Sequence, residues 1–127
     1  MTVPVASGER FRRLAEFLDL LQPRVVSIAQ PETLHVDGIT GVMKTAHICE
    51  GYGMMCAVHG GSISNLHAAC AIYNTKYFER LVPATYYSPP GILDASTDID
   101  SEGYAAPWDK PGLGIEVDWD WVKAHSV

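Results

Sequence analysis

The sequence MMCAVHGGS at residues 54–62 decides the fold of this 127-residue chain. It is a short apolar run that ends in His59, and two glycines and a serine follow before a helical pattern at residues 63–70. A parallel strand that presents one polar side chain at its carboxyl end, then turns tightly into a helix, is the unit from which βα folds build their sites. We therefore expect His59 to lie at the rim of a parallel sheet.

The same arrangement occurs three more times along the chain. Short apolar segments lead to glutamates at or near their carboxyl ends: Thr2–Ala6 to Glu9, Val25–Ala29 to Glu32, and Tyr77–Phe78 to Glu79. The four polar residues lie 23, 27 and 20 positions apart, which is the length of one βα unit in an eightfold barrel of roughly 200–250 residues. The spacing thus predicts four parallel strands whose polar ends share one rim.

Three helices are predicted between these strands. The first has an apolar stripe at positions 11, 14, 15, 18 and 21 and ends at Gln22, before a proline. The second has Thr40 as its N-cap. Its inward residues are Val42, Met43, Ala46 and Cys49. The third occupies residues 63–70, and three helices alternating with four strands predict an α/β fold with right-handed crossovers.

From residue 82 the chain loses this periodicity, because prolines and glycines interrupt it repeatedly. We predict two regions, the βα region at residues 1–81 and an irregular tail at 82–127 that wraps over other structure and ends in a helical turn at 118–123. Four parallel strands cannot close a barrel, and alone they leave two unpaired edges. The chain is therefore either a small open sheet or a piece of something larger.

Composition excludes several classes of function. The chain is 47% apolar and 19% charged, as in soluble globular proteins, and its net charge of −6 gives no support for nucleic-acid binding. No apolar run approaches the roughly 18 residues of a membrane span, and because Met1 leads straight into a strand pattern we expect no signal peptide. Cys49, Cys56 and Cys70 lie in apolar surroundings and are predicted to be reduced core residues. These features predict a cytoplasmic protein.

Several motifs together resemble a known family. They are PVASGE at 4–9, QPE at 30–32, GIT at 38–40, VHG at 58–60 and PGLGIE at 111–116. In this order and spacing they resemble the carboxyl-terminal part of an enolase-superfamily enzyme of the mandelate racemase/muconate lactonizing type, especially its acid-sugar dehydratases. The resemblance implies the C-terminal half of a (β/α)8 TIM-type barrel, with strands five to eight in residues 1–81.

The resemblance also implies a chemistry. In that family a divalent ion, normally Mg²⁺, binds the substrate carboxylate and stabilises the enediolate formed when a base removes the α-proton. Glu9 falls where the third metal ligand lies, and oxygen ligands suit this hard cation. From local sequence alone, Glu9 is more readily explained as a helix N-terminal glutamate that the helix dipole favours, and the register of the resemblance reverses this preference.

His59 falls at the position of the family's histidine acid/base, which pairs with an aspartate on the preceding strand end. This chain has Glu32 there, one methylene longer, so the geometry of the pair is altered. Glu79 matches a glutamate of the eighth strand that contacts the substrate or the intermediate; a rim salt bridge with Arg80 is the alternative. Backbone N–H groups from Gly60 to Ser62 could bind an anionic substrate, or the glycines only permit the turn.

The resemblance predicts a parent enzyme that is a magnesium-dependent sugar-acid dehydratase, a carbon–oxygen lyase, or a racemase. Its substrate is a small carboxylate, its partners include neither nucleic acid nor membrane, and the full-length parent is expected to be a homo-oligomer. The lysine base, two further metal ligands and the capping domain of the family have no counterpart here, so the 127-residue chain is expected to be inactive alone. The alternatives are a stand-alone, non-catalytic α/β binding or interaction module and a split-barrel half completed by a partner chain.

Other sites have less support. His47, Cys49, Cys56 and His59 could suggest zinc, but side chains two positions apart on a helix point to different faces, as His47 and Cys49 would. No G-x-S-x-G elbow, G-x-G-x-x-G loop or Walker loop is present, so serine-hydrolase and nucleotide-binding readings are not supported.

Overall fold

Three short parallel strands form the sheet that carries the polar residues predicted above. The computed structural model describes residues 3–80, 90–94 and 97–127. In it β1 (Ala6–Ser7), β2 (Ile28–Ala29) and β3 (Met55–Cys56) lie in the order β1-β2-β3, with all pairs parallel. Thr2, the predicted start of the first strand, lies outside the described residues. The predicted α/β class with a parallel sheet is confirmed.

The pairing between β2 and β3 continues beyond the strands themselves. Ala57 N–H donates to the Ala29 carbonyl at 2.9 Å, and His59 N–H donates to the Pro31 carbonyl at 2.9 Å. These hydrogen bonds place His59 beside Glu32, the residue that follows Pro31. Backbone hydrogen bonds thus set the geometry of the rim, because they align the carboxyl ends of the parallel strands β2 and β3 side by side.

The fourth predicted strand differs. Residues 77–79 are not paired in the sheet. On the outer side of β3, Cys56 N–H donates instead to the Asn74 carbonyl at 3.1 Å. Because Asn74 meets this edge before the predicted strand begins, Tyr77–Glu79 passes β3 without forming a ladder with it. Four parallel strands were expected, and the described residues show three.

Three helices cover one face of the sheet. They are α1 (Leu14–Leu21), α2 (Gly38–Gly51) and α3 (Ile63–Ala71). Their inward side chains pack with alternate strand residues in one apolar cluster whose members include Phe17, Leu21, Val42, Ala46, Cys49, Cys56, Val58 and Ala68. Because strand side chains alternate between faces, His59 lies on the opposite face from Val58 and Cys56. Apolar residues near the strands such as Val3 and Val25 remain exposed.

The first helix is rotated relative to its predicted stripe. Phe17 is fully buried, whereas Leu18, predicted to face inward, is 41% exposed. The Phe17 ring packs edge-to-face on Phe11, with centroids 5.1 Å apart, and lies against Gly8. At the helix start, Glu16 accepts hydrogen bonds from the N–H groups of Arg12 and Arg13, and these bonds lower the pKa of Glu16.

The second helix begins earlier than predicted. It starts at Gly38 with Asp37 as its N-cap, and Asp37 itself has φ 55°, a left-handed conformation. Thr40, the predicted cap, is therefore inside the helix. A tight turn precedes it, in which the Glu32 carbonyl accepts from the N–H groups of His35 and Val36. This reversal brings the helix start against the turn, and that packing requires Gly41.

Replacing Gly41 with alanine should destabilise the chain strongly. A Cβ there would overlap the Val36 carbonyl oxygen, whereas a Cβ at Gly51, in the same helix, meets nothing within 4 Å. We expect Gly41→Ala to lower the free energy of unfolding by about 1–3 kcal/mol or more and Gly51→Ala to raise it by up to about 1 kcal/mol. Urea denaturation of the two variants measures the difference. Equal stability would show that the helix start is not packed against the turn.

The three cysteines do not share one environment. Cys49 and Cys56 are buried as predicted, but Cys70 is exposed, so the prediction was wrong for that residue. Cys70 lies near the end of α3, where it lines a surface pocket together with Leu66 and Ala69. A hydrogen bond between the two buried thiols lowers the pKa of Cys49 and raises that of Cys56.

The described tail folds back on the helices. It contains an antiparallel pair, β4 (Ile92–Asp94) and β5 (Glu116–Val117), followed by α4 (Trp119–His125), which includes most of the predicted helical turn. His67 Nε2 of α3 donates to the Leu113 carbonyl at 3.3 Å, and Arg80 pairs with Asp98 at 2.9 Å. The predicted boundary between residues 81 and 82 lies outside the described residues. No helix in the described part of the chain is long and apolar enough to cross a membrane.

Candidate active site

His59 and Glu79 form the closest histidine–carboxylate pair at the sheet rim. His59 Nδ1 lies 2.7 Å from Glu79 Oε2, and the same oxygen accepts the Gly60 N–H at 2.7 Å. The two side chains are 25% and 36% exposed, respectively. A carboxylate oxygen only accepts hydrogen bonds, so His59 must carry its proton on Nδ1. Its Nε2 makes no hydrogen bond to any residue in the described ranges and is available for proton transfer.

Glu32 lies on the neighbouring strand end but does not pair with His59. Its Oε2 is 3.6 Å from His35 Nδ1, a separation too long for a hydrogen bond, and that buried nitrogen has no hydrogen-bond partner. The tight turn that starts at the Glu32 carbonyl explains the difference from the family arrangement, because it brings His35 beside the carboxylate. Glu32 Oε1 nevertheless lies close to Gly60, 3.3 Å from the position of a Cβ there. Both carboxylates thus flank the backbone that follows His59.

Glu9 follows β1 by two residues and is half-buried. It lies after the first strand of the sheet, and its role as a metal ligand stays a prediction. Within residues 3–80, 90–94 and 97–127, no three His, Cys, Asp or Glu side chains are grouped so that they could hold a metal ion. Magnesium sites need several oxygen ligands, so these residues do not form a magnesium site by themselves.

The predicted substrate contacts at Gly60 and Ser62 have internal partners. The Gly60 N–H is used by Glu79. Ser62 caps α3 by accepting the Asn65 N–H at 3.3 Å, and its hydroxyl is 3.1 Å from that of Ser64. Gly60 has φ 80°, which favours glycine. A contact of either residue with substrate stays a prediction.

A buried asparagine connects the loops that follow β2 and β3. Asn65 is 0% exposed; its Nδ2 donates to the carbonyls of His59 and Gly60 at 2.7 and 3.2 Å. Its Oδ1 accepts from the N–H and hydroxyl of Thr33 at 3.0 and 2.7 Å. Sequence reasoning missed this residue. The signal was present, since Asn65 is a polar side chain between Ile63 and Leu66 on a helix face that is otherwise apolar.

A chain of hydroxyl groups extends from this asparagine. Because Thr33 Oγ1 donates to Asn65 Oδ1, it must accept from Ser64 Oγ, 2.7 Å away. Ser64 then accepts from Ser62. Every hydroxyl proton in the series is used within the protein, so Ser62 has an oxygen lone pair, rather than a proton, to offer a ligand.

Comparison with known proteins identifies the family. Residues 1–121 match the model described as "Enolase C-terminal domain-like". The chain belongs to this family. The enolase C-terminal domain-like assignment confirms the predicted resemblance, and with it the relation to the carboxyl-terminal part of TIM-barrel enzymes.

Individual relatives agree with this family assignment. The chain is 33% identical to D-galactonate dehydratase of Cronobacter sakazakii over an alignment of 133 positions, which covers 98% of this chain and 35% of the relative. It resembles the structure of a mandelate racemase/muconate lactonizing enzyme-like protein from Roseovarius sp. TM1035, with 30% identity, TM-score 0.76 and coverage of 98% of this chain and 32% of that one.

A third relative is D-glucarate dehydratase from Agrobacterium tumefaciens, whose structure was solved in complex with magnesium. Its identity is 26% and its TM-score 0.82, with coverage of 98% of this chain and 34% of that one. The chain thus spans about a third of the length of these relatives.

Proposed function

We propose that this chain is the carboxyl-terminal part of a sugar-acid dehydratase barrel, with residues 1–81 as the barrel part and 82–127 as the tail. The observation that carries the proposal is the His59–Glu79 pair at 2.7 Å on the carboxyl rim of a parallel sheet. An oriented imidazole with a free Nε2 is an acid/base group, and the comparisons include dehydratases of two sugar acids.

The reaction is loss of water from a hydroxylated carboxylic acid. A base removes the proton α to the carboxylate, and the hydroxyl on the β-carbon leaves with a proton as water. The enol that remains becomes a 2-keto-3-deoxy acid. His59 takes or gives a proton in that sequence, because Nδ1 is held by Glu79 while Nε2 faces away from that bond.

The carboxylates have separate roles in this proposal. Glu79 fixes the tautomer of His59 and stabilises its charged form after it takes a proton. Glu32, on the adjacent strand end and 13% exposed, provides negative charge near the Gly60 backbone. Gly60 and Ser62 lie where the substrate would approach.

Magnesium enters the proposal only through Glu9. This residue supplies one oxygen ligand, and the other ligands come from polypeptide other than the described residues. The exposed side chains of Val3, Val5 and Val25, close to β1 and β2, support such completion, since a group of exposed apolar residues is normally covered by a partner surface. Alone, the 127-residue chain is proposed to be inactive.

The test is a product assay on the protein encoded by the whole reading frame that contains this sequence. The protein is incubated with Mg²⁺ and D-galactonate, D-glucarate or a racemisable 2-hydroxy acid, and 2-keto acid is measured as its semicarbazone. Exchange of the α-proton in D₂O, followed by NMR, separates racemisation from dehydration. We expect keto-acid formation from a sugar acid by the complete protein and none by the 127-residue chain. Turnover by the short chain would contradict the inactivity, and exchange without keto acid would contradict dehydration.

A further inference from the structure

We infer that Asn65 is a positioning residue that sets the distance between the Glu32 loop and the His59 loop and so holds His59 in its reactive tautomer. The inference rests on the proposed function for its kinetic consequence only. It starts from the observation that one amide side chain joins two strand ends that otherwise belong to separate βα units.

All the hydrogen-bonding capacity of this side chain is used. An asparagine amide has two N–H donors and two carbonyl lone pairs, and Asn65 places both donors on carbonyls and both lone pairs on Thr33. Because Asn65 is completely buried, a change that leaves one of these polar groups without a partner is strongly unfavourable. A network satisfied in this way has one arrangement and is rigid.

The contacts act on the backbone that carries the His59–Glu79 pair. The two carbonyls held by Asn65 are those of His59 itself and of Gly60, whose N–H donates to Glu79. Asn65 therefore fixes both peptide groups on which the His59–Glu79 geometry depends. On the other side Thr33 follows Glu32 immediately in sequence, so the same amide also fixes the carboxylate loop.

The chain offers a matched control in Asn74. Its Nδ2 also donates to two backbone carbonyls, those of Ala46 and Met54, at 3.3 and 2.8 Å. Met54 precedes β3, whereas His59 follows it, so Asn74 makes the same kind of contact at the opposite end of the strand. At either position, Asn→Asp replaces the amide NH2 group by a carboxylate oxygen, which cannot donate to the two backbone carbonyls that it faces.

The experiment compares Asn65→Asp with Asn74→Asp. In the 127-residue chain, ¹⁵N NMR of labelled histidine reports the His59 tautomer at a pH where the ring is neutral, with His59→Asn used to assign the signals. We expect the wild type and Asn74→Asp to show a protonated Nδ1, and Asn65→Asp to show a mixture of tautomers. In the complete protein, Asn65→Asp should lower kcat by about 100-fold, the effect of an approximately 1 Å misplacement, with KM little changed.

Thr33→Val tests the same contact more gently if Asn65→Asp does not fold. It removes the hydroxyl that donates to Asn65 and leaves the amide donors intact, and Thr45→Val, which removes a buried hydroxyl bonded within α2, is its control. We expect a partial tautomer shift for Thr33→Val and none for Thr45→Val. If Asn65→Asp folds and its His59 tautomer is unchanged, the inference is overturned. If Asn65→Asp does not fold, an unchanged His59 tautomer in Thr33→Val overturns it. Absence of dehydratase activity in the wild type would instead count against the proposed function alone.

Discussion

Replacing His59 with asparagine should lower the kcat of the complete protein by roughly 100- to 10,000-fold, the usual contribution of a general acid or base. Asparagine keeps a donor close to the position of Nδ1, so the contact with Glu79 can persist. It has no group at the position of Nε2, and this is the atom proposed to move the proton. The measurement is the initial rate of keto-acid formation with Mg²⁺ and the best sugar acid.

His47→Asn is the matched control, because His47 is exposed on α2 and far from the rim. We expect its kcat to equal that of the wild type. A His59→Asn protein with undiminished turnover would remove His59 from the mechanism, even if the fold and family stood unchanged.

The same assay distinguishes the two carboxylates. Because Glu79 Oε2 is 2.7 Å from His59 Nδ1 and Glu32 pairs with no nitrogen of that ring, Glu79→Gln should lower kcat more than Glu32→Gln. The reverse order would indicate that the working enzyme uses the pairing of strand neighbours expected from the family resemblance. It would also mean that the loop after β2 rearranges in the complete barrel.

The rim could be predicted from sequence because it depends on short-range patterns. An apolar run that ends in His59, Glu32 or Glu9 specifies a strand end, and parallel pairing then places these ends side by side. The hydrogen bonds that Ala57 and His59 donate to Ala29 and Pro31 confirm this for the strand ends at Glu32 and His59. Residues 77–79 do not form the predicted strand. A strand also needs a neighbouring edge with free hydrogen-bonding groups, and at the edge of β3 the Asn74 carbonyl already accepts the Cys56 N–H.

The partner of His59 could not be predicted in the same way. The choice between Glu32 and Glu79 depends on a turn in which the Glu32 carbonyl accepts two N–H groups, and no local pattern specifies which way the side chain then points. Asn65 posed a related problem. The side chain of Asn65 contacts Thr33, 32 positions earlier, and the His59 carbonyl, six positions earlier. No sequence pattern indicates that the same amide reaches both loops, because only folding brings them together.

The orientation of α1 determines which of its apolar side chains stabilises the fold. Leucines at positions 14, 18, 20 and 21 surround the helix, so the periodicity permits an inward face centred on either Leu18 or Phe17. In the structure Phe17 is the residue that faces inward, because its ring fits against Gly8, which has φ 117° and no side chain. A Cβ at Gly8 would lie 2.6 Å from the ring. Packing with the turn before Glu9 therefore decides what the helical pattern leaves open.

Phe17→Ala should accordingly lower the free energy of unfolding by about 3–5 kcal/mol, the effect of removing a fully buried phenylalanine. Leu18→Ala, on the neighbouring position and 41% exposed, should change it by no more than about 0.5 kcal/mol. Urea denaturation of the 127-residue chain, followed by circular dichroism, measures both. If Leu18→Ala were the more damaging, α1 would have the orientation of the sequence pattern. Gly8 would then lose the contact that fixes the turn carrying Glu9, so this stability measurement also tests the geometry of the proposed metal ligand.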